Sequence, residues 1–329
     1  MNILYTLNNG FVPQVGAGIC SVCENNLKSD NIKFFIVSAG ISENNKQELT
    51  NLVNNYNREI EIIELPDLKN FFDFEFDTLG WNSIVLARLL VDQLLPDDVQ
   101  RVLYLDGDTI VRGELTQLWG LDLNGKTIGM SIEPTMPKAR KQGLGLTGYP
   151  YYNAGVLLID LQRWRSINAG KIIIDYYREN DGKLFANDQD AINASMKDEI
   201  YTISPKYNFY NIFNQYSYNF MCKLMKPVEY ISRDVYHDAV NEPVIIHYLG
   251  EERPWREGNT HKYKNDYKKY LHMTVWKDTP DETGWGMYFI CWRIFNIVSK
   301  PFPKMRYYII NWLIPYFMKY RASIIKKGK

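Results

Sequence analysis

Residues 101–114 read RVLYLDGDTIVRGE, and the chemistry of the chain is concentrated in their middle. Asp106 and Asp108 stand one residue apart, directly after the apolar run 102–105. That run has the character of a buried strand. Two carboxylates at the end of such a strand are costly to place unless a cation meets them. Oxygen ligands of this kind suit a hard divalent ion, Mn2+ or Mg2+, with phosphate oxygens completing the shell. Gly107 between them allows a tight turn or a close approach to a ligand. The competing reading is an ordinary Asp-Gly surface turn.

Two enzyme classes place Asp-x-Asp after an apolar strand. In one class of metal-dependent phosphatases the motif is Asp-x-Asp-x-Thr on the first strand, and Asp106 to Thr109 fits that pattern too. In nucleotide-sugar glycosyltransferases both Asp residues hold a metal on a diphosphate. A long alternating stretch precedes the motif here, which favours the second class. A catalytically inactive sugar- or lipid-binding scaffold is the alternative outside enzymes.

The elements that must position these groups alternate along the chain. Residues 2–6, 33–37 and 60–65 read as strands, and 11–27 and 44–56 as helices. Strand–helix alternation indicates an α/β protein with a mostly parallel sheet, whose ligands bind beyond the carboxyl ends of the strands. Residues 81–95 carry helical spacing and a single cation, Arg88. It is read either as a snorkelling side chain or as a diphosphate contact. Residues 127–132 and 156–159 are further strands, and 138–147 is an aperiodic, Gly-containing segment with the character of a mobile lid. Asp188 and Asp190 open a helix near 186–190, and His247 ends the apolar run 244–246. Such a His is usually satisfied structurally, but imidazole is also a common metal ligand.

At 329 residues the chain has room for one large domain and an appendage. We divide it into a catalytic unit, 1–282, and a tail, 283–329. The tail carries nine Lys and Arg and no Asp or Glu, against 29 basic and 38 acidic residues before it. It is also rich in Trp, Tyr and Phe, and Pro301, Pro303 and Pro315 are expected to break it into short pieces. Amphipathic helices on an anionic membrane surface are the preferred reading, with a cap packed on the catalytic unit as the alternative. No nucleic-acid-binding module accompanies the charge. No leader and no spanning segment are visible, so a cytoplasmic protein peripheral to the inner membrane face is expected. Cys20 and Cys23 lack the partners of a redox or zinc site and read as helix packing.

Four segments together resemble glycosyltransferase family 8, which includes bacterial lipopolysaccharide galactosyl- and glucosyltransferases and glycogenin. They are LYLDGDTIV around Asp106, YYNAGVLLIDLQRW from Tyr151, NDQDAIN from Asn187 and HYLGEERPW from His247. The resemblance implies one mixed sheet between helices, of GT-A type. It also implies UDP-galactose or UDP-glucose as donor with Mn2+ or Mg2+, a saccharide or lipid-linked glycan acceptor, and retention of anomeric configuration. Carried over residue by residue, Asp106, Asp108 and His247 would bind the metal. Gly250 and Arg253 would meet the diphosphate, and Arg88 the donor. Asn153, Asp188 and Gln189 would line the donor sugar, and Thr6 and Asn8 would hold the uridine. The family commonly has Asp where Asn8 stands and Lys where Arg253 stands. An Arg keeps the charge but binds phosphate as a fork.

An amide is a poor nucleophile, so Gln189 is expected to position the sugar together with Asp188 for front-face attack. Asp188 and Asp190 are the chemically better nucleophiles should a covalent intermediate form.

Overall fold

Seven strands form one sheet in the order β3-β2-β1-β4-β7-β6-β8, and two more form a small ribbon, β5-β9. The strands are β1 (Asn2–Asn8), β2 (Lys33–Ala39), β3 (Glu59–Glu64), β4 (Arg101–Leu105), β5 (Thr109–Val111), β6 (Ile128–Ile132), β7 (Tyr152–Asp160), β8 (Ile200–Ile203) and β9 (Ile245–His247). This computed structural model describes the backbone of residues 1–327 apart from 30, 66 and 79–81, and their side chains apart from 69, 317 and 319–327. The first four strands run parallel. β7 is antiparallel to both its neighbours, and β8 is parallel to β6. The mixed, mostly parallel α/β sheet expected from the sequence is therefore present.

Burial explains the strand assignments. β4 and β7 lie inside the sheet, and Val102, Leu103, Leu105, Val156, Leu157, Leu158 and Ile159 are fully buried. Interior strands covered on both faces read as continuous apolar runs rather than alternating ones. Pairing of Ile3 with Leu103 and of Leu4 with Tyr104 sets the carboxyl ends of β1 and β4 side by side. Thr6 and Asn8 thereby come to the same edge as Asp106. Helix α1 (Val12–Asn25) follows β1 and buries Cys20 and Cys23 as packing residues.

Two local expectations are corrected. The segment 81–95 is a 3-10 helix, Ser83–Leu90, running into a short α-helix, Val91–Leu94; Trp81 lies outside the described residues. With three residues per turn, positions i and i+3 share a face, and Val85 and Arg88 both line the functional cleft. The segment 138–147 is not aperiodic. It forms a helix, α2 (Lys138–Gly143), followed by Leu146, which is buried against Met136 and Tyr151. The expected turn is present at Gly107 and Asp108, between β4 and β5. The bare Cα of Gly107 also admits the start of α1, since a Cβ there would lie 2.9 Å from Phe11 and 3.1 Å from Val15.

The tail forms two helices, α3 (Gly286–Ser299) and α4 (Pro303–Lys327). Pro301 and Pro303 separate them as expected, with Pro303 at the first helical position, where its missing N–H costs nothing. Pro315 lies inside α4 and does not end it. The inner face of the pair is docked on residues 1–282. Arg256 stacks 3.6 Å over Trp285, and Phe220 meets Tyr307 at 6.3 Å. Arg306 is buried, donating to Ser299 Oγ at 2.8 Å and lying over Trp292 and Phe295. The outer face is different: Met287, Ile290, Ile294, Ile297, Phe302 and Trp312 are exposed. The cap reading thus describes one side of the tail. Among the described residues, no helix is long and apolar enough to cross a membrane.

Candidate active site

Ribbon β5-β9 builds the first part of the site. Thr109 pairs with His247 across it, and the Tyr248 amide donates to Asp108 O at 2.9 Å. His247 is thereby held opposite the turn that carries both carboxylates. Its Nε2 lies 3.3 Å from Asp108 Oδ1 and 3.8 Å from Asp106 Oδ2. One ligand atom from each of Asp106, Asp108 and His247 falls within 4.8 Å of the others. Thr109 has a structural role, with Oγ1 donating to Asp106 O at 2.7 Å.

The hydrogen-bond network fixes which imidazole nitrogen faces the carboxylates. The Gly155 amide donates to Asn153 Oδ1 at 3.0 Å, which identifies that atom as the oxygen. Asn208 Nδ2 donates to the same oxygen at 2.8 Å, so Asn208 presents its Oδ1 to His247 Nδ1 at 2.9 Å. His247 therefore donates from Nδ1 and turns Nε2 toward Asp106 and Asp108. An imidazole held in this way by a second hydrogen bond is the usual arrangement of a metal ligand. Asn208 is fully buried, and nothing in the sequence marked it.

Electrostatics agree with a cationic occupant. Burial disfavours charge on both partners, yet the pair overrides it: Asp108 is held down at about 2 by His247 and Arg253. His247 is raised above its usual range by Asp108 and Asp106. Two carboxylate oxygens and an imidazole nitrogen fit a divalent ion, and the nitrogen donor favours Mn2+ over Mg2+.

Arg88 is neither solvated nor snorkelling. It is buried, with Nη2 2.9 Å from Asp106 Oδ1, Nε 3.0 Å from Asp188 Oδ2 and Nη1 donating to Ala154 O at 2.6 Å. Its guanidinium stacks 4.4 Å over Tyr104, whose hydroxyl donates to Asp106 at 2.7 Å. Asp188 is pushed up to about 6 by burial, against the pull of Arg88. Arg253 Nη2 reaches Asp108 Oδ2 at 3.2 Å, with Phe11 and Trp255 flanking the guanidinium at 5.5 and 5.7 Å. Gly250 has φ +76°, a conformation that favours glycine, in the turn between His247 and Arg253.

Gln189 is fully engaged: Oε1 accepts from the Ala154 amide at 2.9 Å, and Nε2 donates to Glu133 and Tyr151 at 3.2 and 3.0 Å. Asp190 accepts from Tyr151, Arg140 and the Ala186 amide and is 1% exposed, so it is withdrawn from the cleft as a nucleophile.

The cleft has two arms. One is lined by Thr6, Asn8, Phe11 and Asn82. The other is lined by Asn153, Asp188, Gln189, His247 and Gly250. Val85, Arg88, Asp106, Asp108 and Arg253 line both. All eleven sequence-derived residues thus converge on one groove, with the carboxylate pair at its junction. Tyr104 and Glu133 also line it, Tyr151 and Asn208 hold Gln189 and His247 from behind, and none of the four was foreseen.

Comparison with known proteins follows the same lines. The chain is 25% identical over 280 residues to General stress protein A of Bacillus subtilis (strain 168), covering 84% of this chain and 94% of that protein. It is 25% identical over 283 residues to the lipopolysaccharide 1,2-glucosyltransferase of Escherichia coli (strain K12), covering 84% and 79%. Among solved structures it resembles the galactosyltransferase LgtC in complex with donor and acceptor sugar analogs. That match has TM-score 0.71 and 26% identity, over 87% of this chain and 99% of that one. The sequence model of glycosyl transferase family 8 matches residues 2–259, from β1 past Arg253. This removes the Asp-x-Asp-x-Thr phosphatase alternative, and the central rather than first position of β4 agrees. With its fold of GT-A type, the chain belongs to glycosyl transferase family 8.

Proposed function

We propose that the protein transfers a hexose, galactose or glucose, from its UDP-sugar to a saccharide or lipid-linked acceptor, with retention of anomeric configuration and with Mn2+ as cofactor. One observation carries this reading: Asp106, Asp108 and His247 cluster within 4.8 Å where the two arms of the cleft meet. Thr6 and Asn8 would take the uridine in one arm, and Asn153, Asp188 and Gln189 the hexose in the other. Asp106, Asp108 and His247 would hold the ion, which when bound neutralises charge on the departing diphosphate. Arg253 and Gly250 would orient that diphosphate from the opposite side, and Arg253 adds fixed positive charge. Arg88 holds Asp106 and Asp188 at fixed distance, coupling the two arms. Gln189 and Asp188 position the sugar for front-face attack, because both are already committed to hydrogen-bond or ion-pair partners.

Incubating the protein with a panel of UDP-sugars and Mn2+ and following UDP release tests the reading. Release from UDP-galactose or UDP-glucose that stops with excess chelator, and that Asp108→Asn lacks, is the expected result. Full turnover in chelator sinks the metal assignment.

The tail supports a second reading, attachment to the inner face of an anionic membrane. The exposed residues Ile290, Ile294, Ile297 and Trp312 form an apolar outer surface on a segment with nine cations and no acids. Burial of such a face together with attraction to anionic lipid gives reversible attachment. Co-sedimentation with anionic and neutral vesicles at low and high salt tests it, and no binding to either counts against it.

A further inference from the structure

The family match ends at residue 259, yet the cleft does not. A second groove opens beside the sugar arm and shares Glu133, Arg140, Leu249, Gly250 and Ile314 with it. Its far wall comes from the tail: Tyr288 and Trp292 of α3, and Ile310, Asn311 and Ile314 of α4. The near wall includes Tyr210, Asn211 and Tyr216.

The chemistry of this groove is that of carbohydrate recognition: aromatic faces with a few placed polar groups. Tyr288 and Trp292 stack in parallel, 6.3 Å apart at 11°. Asn311 donates from Nδ2 to Tyr307 O at 2.9 Å, and its other amide atom is an acceptor. Two buried donors that belong to groove residues, the Tyr210 hydroxyl and Trp292 Nε1, have no partner among the described residues. Tyr210 is 2% exposed. Buried polar atoms without partners are uncommon and call for an explanation. Ligand hydroxyls entering beside them supply one.

We propose that the tail helices complete the acceptor subsite and set acceptor specificity from outside the family's shared domain. An acceptor saccharide lies in this groove beside Trp292 and Asn311, with its reacting end at Gly250 and Ile314, where the groove meets the sugar arm. There the acceptor oxygen bonds to the anomeric carbon as that carbon's bond to UDP breaks, and the hydroxyl proton passes to the departing diphosphate oxygen. The inference rests on the sugar-transfer reading above.

The test uses the full chain with Mn2+, UDP-galactose or UDP-glucose, and lactose, methyl galactoside and methyl glucoside as acceptor probes. UDP release is measured with and without each probe. Asn311→Ala and Trp292→Leu are expected to raise acceptor KM about fivefold or more, the loss of roughly one hydrogen bond or contact. Donor KM and acceptor-free UDP-sugar hydrolysis stay unchanged. Ile314 is 37% exposed, so Ile314→Trp keeps the fold and narrows the opening. It is expected to suppress transfer to lactose more than to the methyl glycosides. Unchanged acceptor KM in Asn311→Ala and Trp292→Leu with hydrolysis intact, together with an unaltered ratio of lactose to methyl glycoside transfer in Ile314→Trp, overturns this inference alone. No UDP release by the unmodified chain from either donor overturns the sugar-transfer reading, and this inference with it.

Discussion

His247 lies over the bare Cα of Gly155: a Cβ on that residue would come within 2.5 Å of Nδ1 and 3.0 Å of Nε2. The glycine of the Asn-Ala-Gly segment therefore serves the imidazole and not a turn, since it sits within β7. The same residue's amide anchors the Asn153–Asn208 chain that sets the imidazole tautomer.

Gly155→Ala should displace His247. We expect a fall of about ten- to a hundredfold in Mn2+ affinity, with overpacking costing about 1–3 kcal/mol of stability. Calorimetric titration with Mn2+ and urea unfolding measure the two effects. Unaltered Mn2+ binding would remove the steric account.

Asn208→Ala should free His247 to rotate without removing a ligand. Loss of an orienting partner typically costs 10–100-fold in metal affinity. UDP release should then need correspondingly more Mn2+ for half-maximal rate and recover at saturating Mn2+. A lowered rate at saturating Mn2+ with an unchanged requirement would assign Asn208 another role.

Asp188→Asn should lower turnover far more than it lowers UDP affinity, because in the proposed reading Asp188 faces the sugar, which UDP lacks. Arg88 keeps its hydrogen bond to Ala154 O and its ion pair with Asp106, which limits the structural loss. Comparable losses in UDP binding and in turnover would assign Asp188 to the nucleotide or to the fold.

His261 is buried away from the cleft against Tyr248, and burial holds it down at about 4 from an ordinary 6.5. The folded chain keeps it neutral while the unfolded chain protonates near 6.5. Its contribution is present above 6.5 and is lost as pH falls from there to about 4. The full loss is at most about 3 kcal/mol. His261→Gln retains an acceptor for the Tyr263 amide and should flatten this part of the pH–stability curve. Equal slopes for both proteins, in urea unfolding between pH 7 and 4, would mean that His261 is not the titrating group.

The tail shows how far composition alone reaches. Nine cations and no acids identify residues 283–329 as unlike the rest, and the aromatic content predicts a buried or interfacial face. Composition does not say which face. Docking of Arg256 on Trp285, and burial of Arg306 and Tyr307, assign the inner face to the protein. The outer residues are left exposed. Pro315 was expected to end a helix by local rule, but the turns on both sides of it remain helical.

What the sequence determined by itself is what local pattern encodes. Apolar runs of strand length marked β4 and β7, because an interior strand needs apolar side chains on both faces. Residue chemistry marked Asp106, Asp108, Arg88 and His247, because each group carries it by itself, and the resemblance to a family added Asn153, Asp188, Gln189 and Arg253. Only the tertiary structure decided which groups meet. Asn208 touches residues 39 and 55 positions away, and Arg88 pairs with Asp188 100 positions away while also holding Asp106. No period of 2 or 3.6 residues records such pairings. They arise when strand order brings β1, β4 and β7 together and the β5-β9 ribbon folds over their ends. The bare Cα of Gly155 is the space that this closure requires.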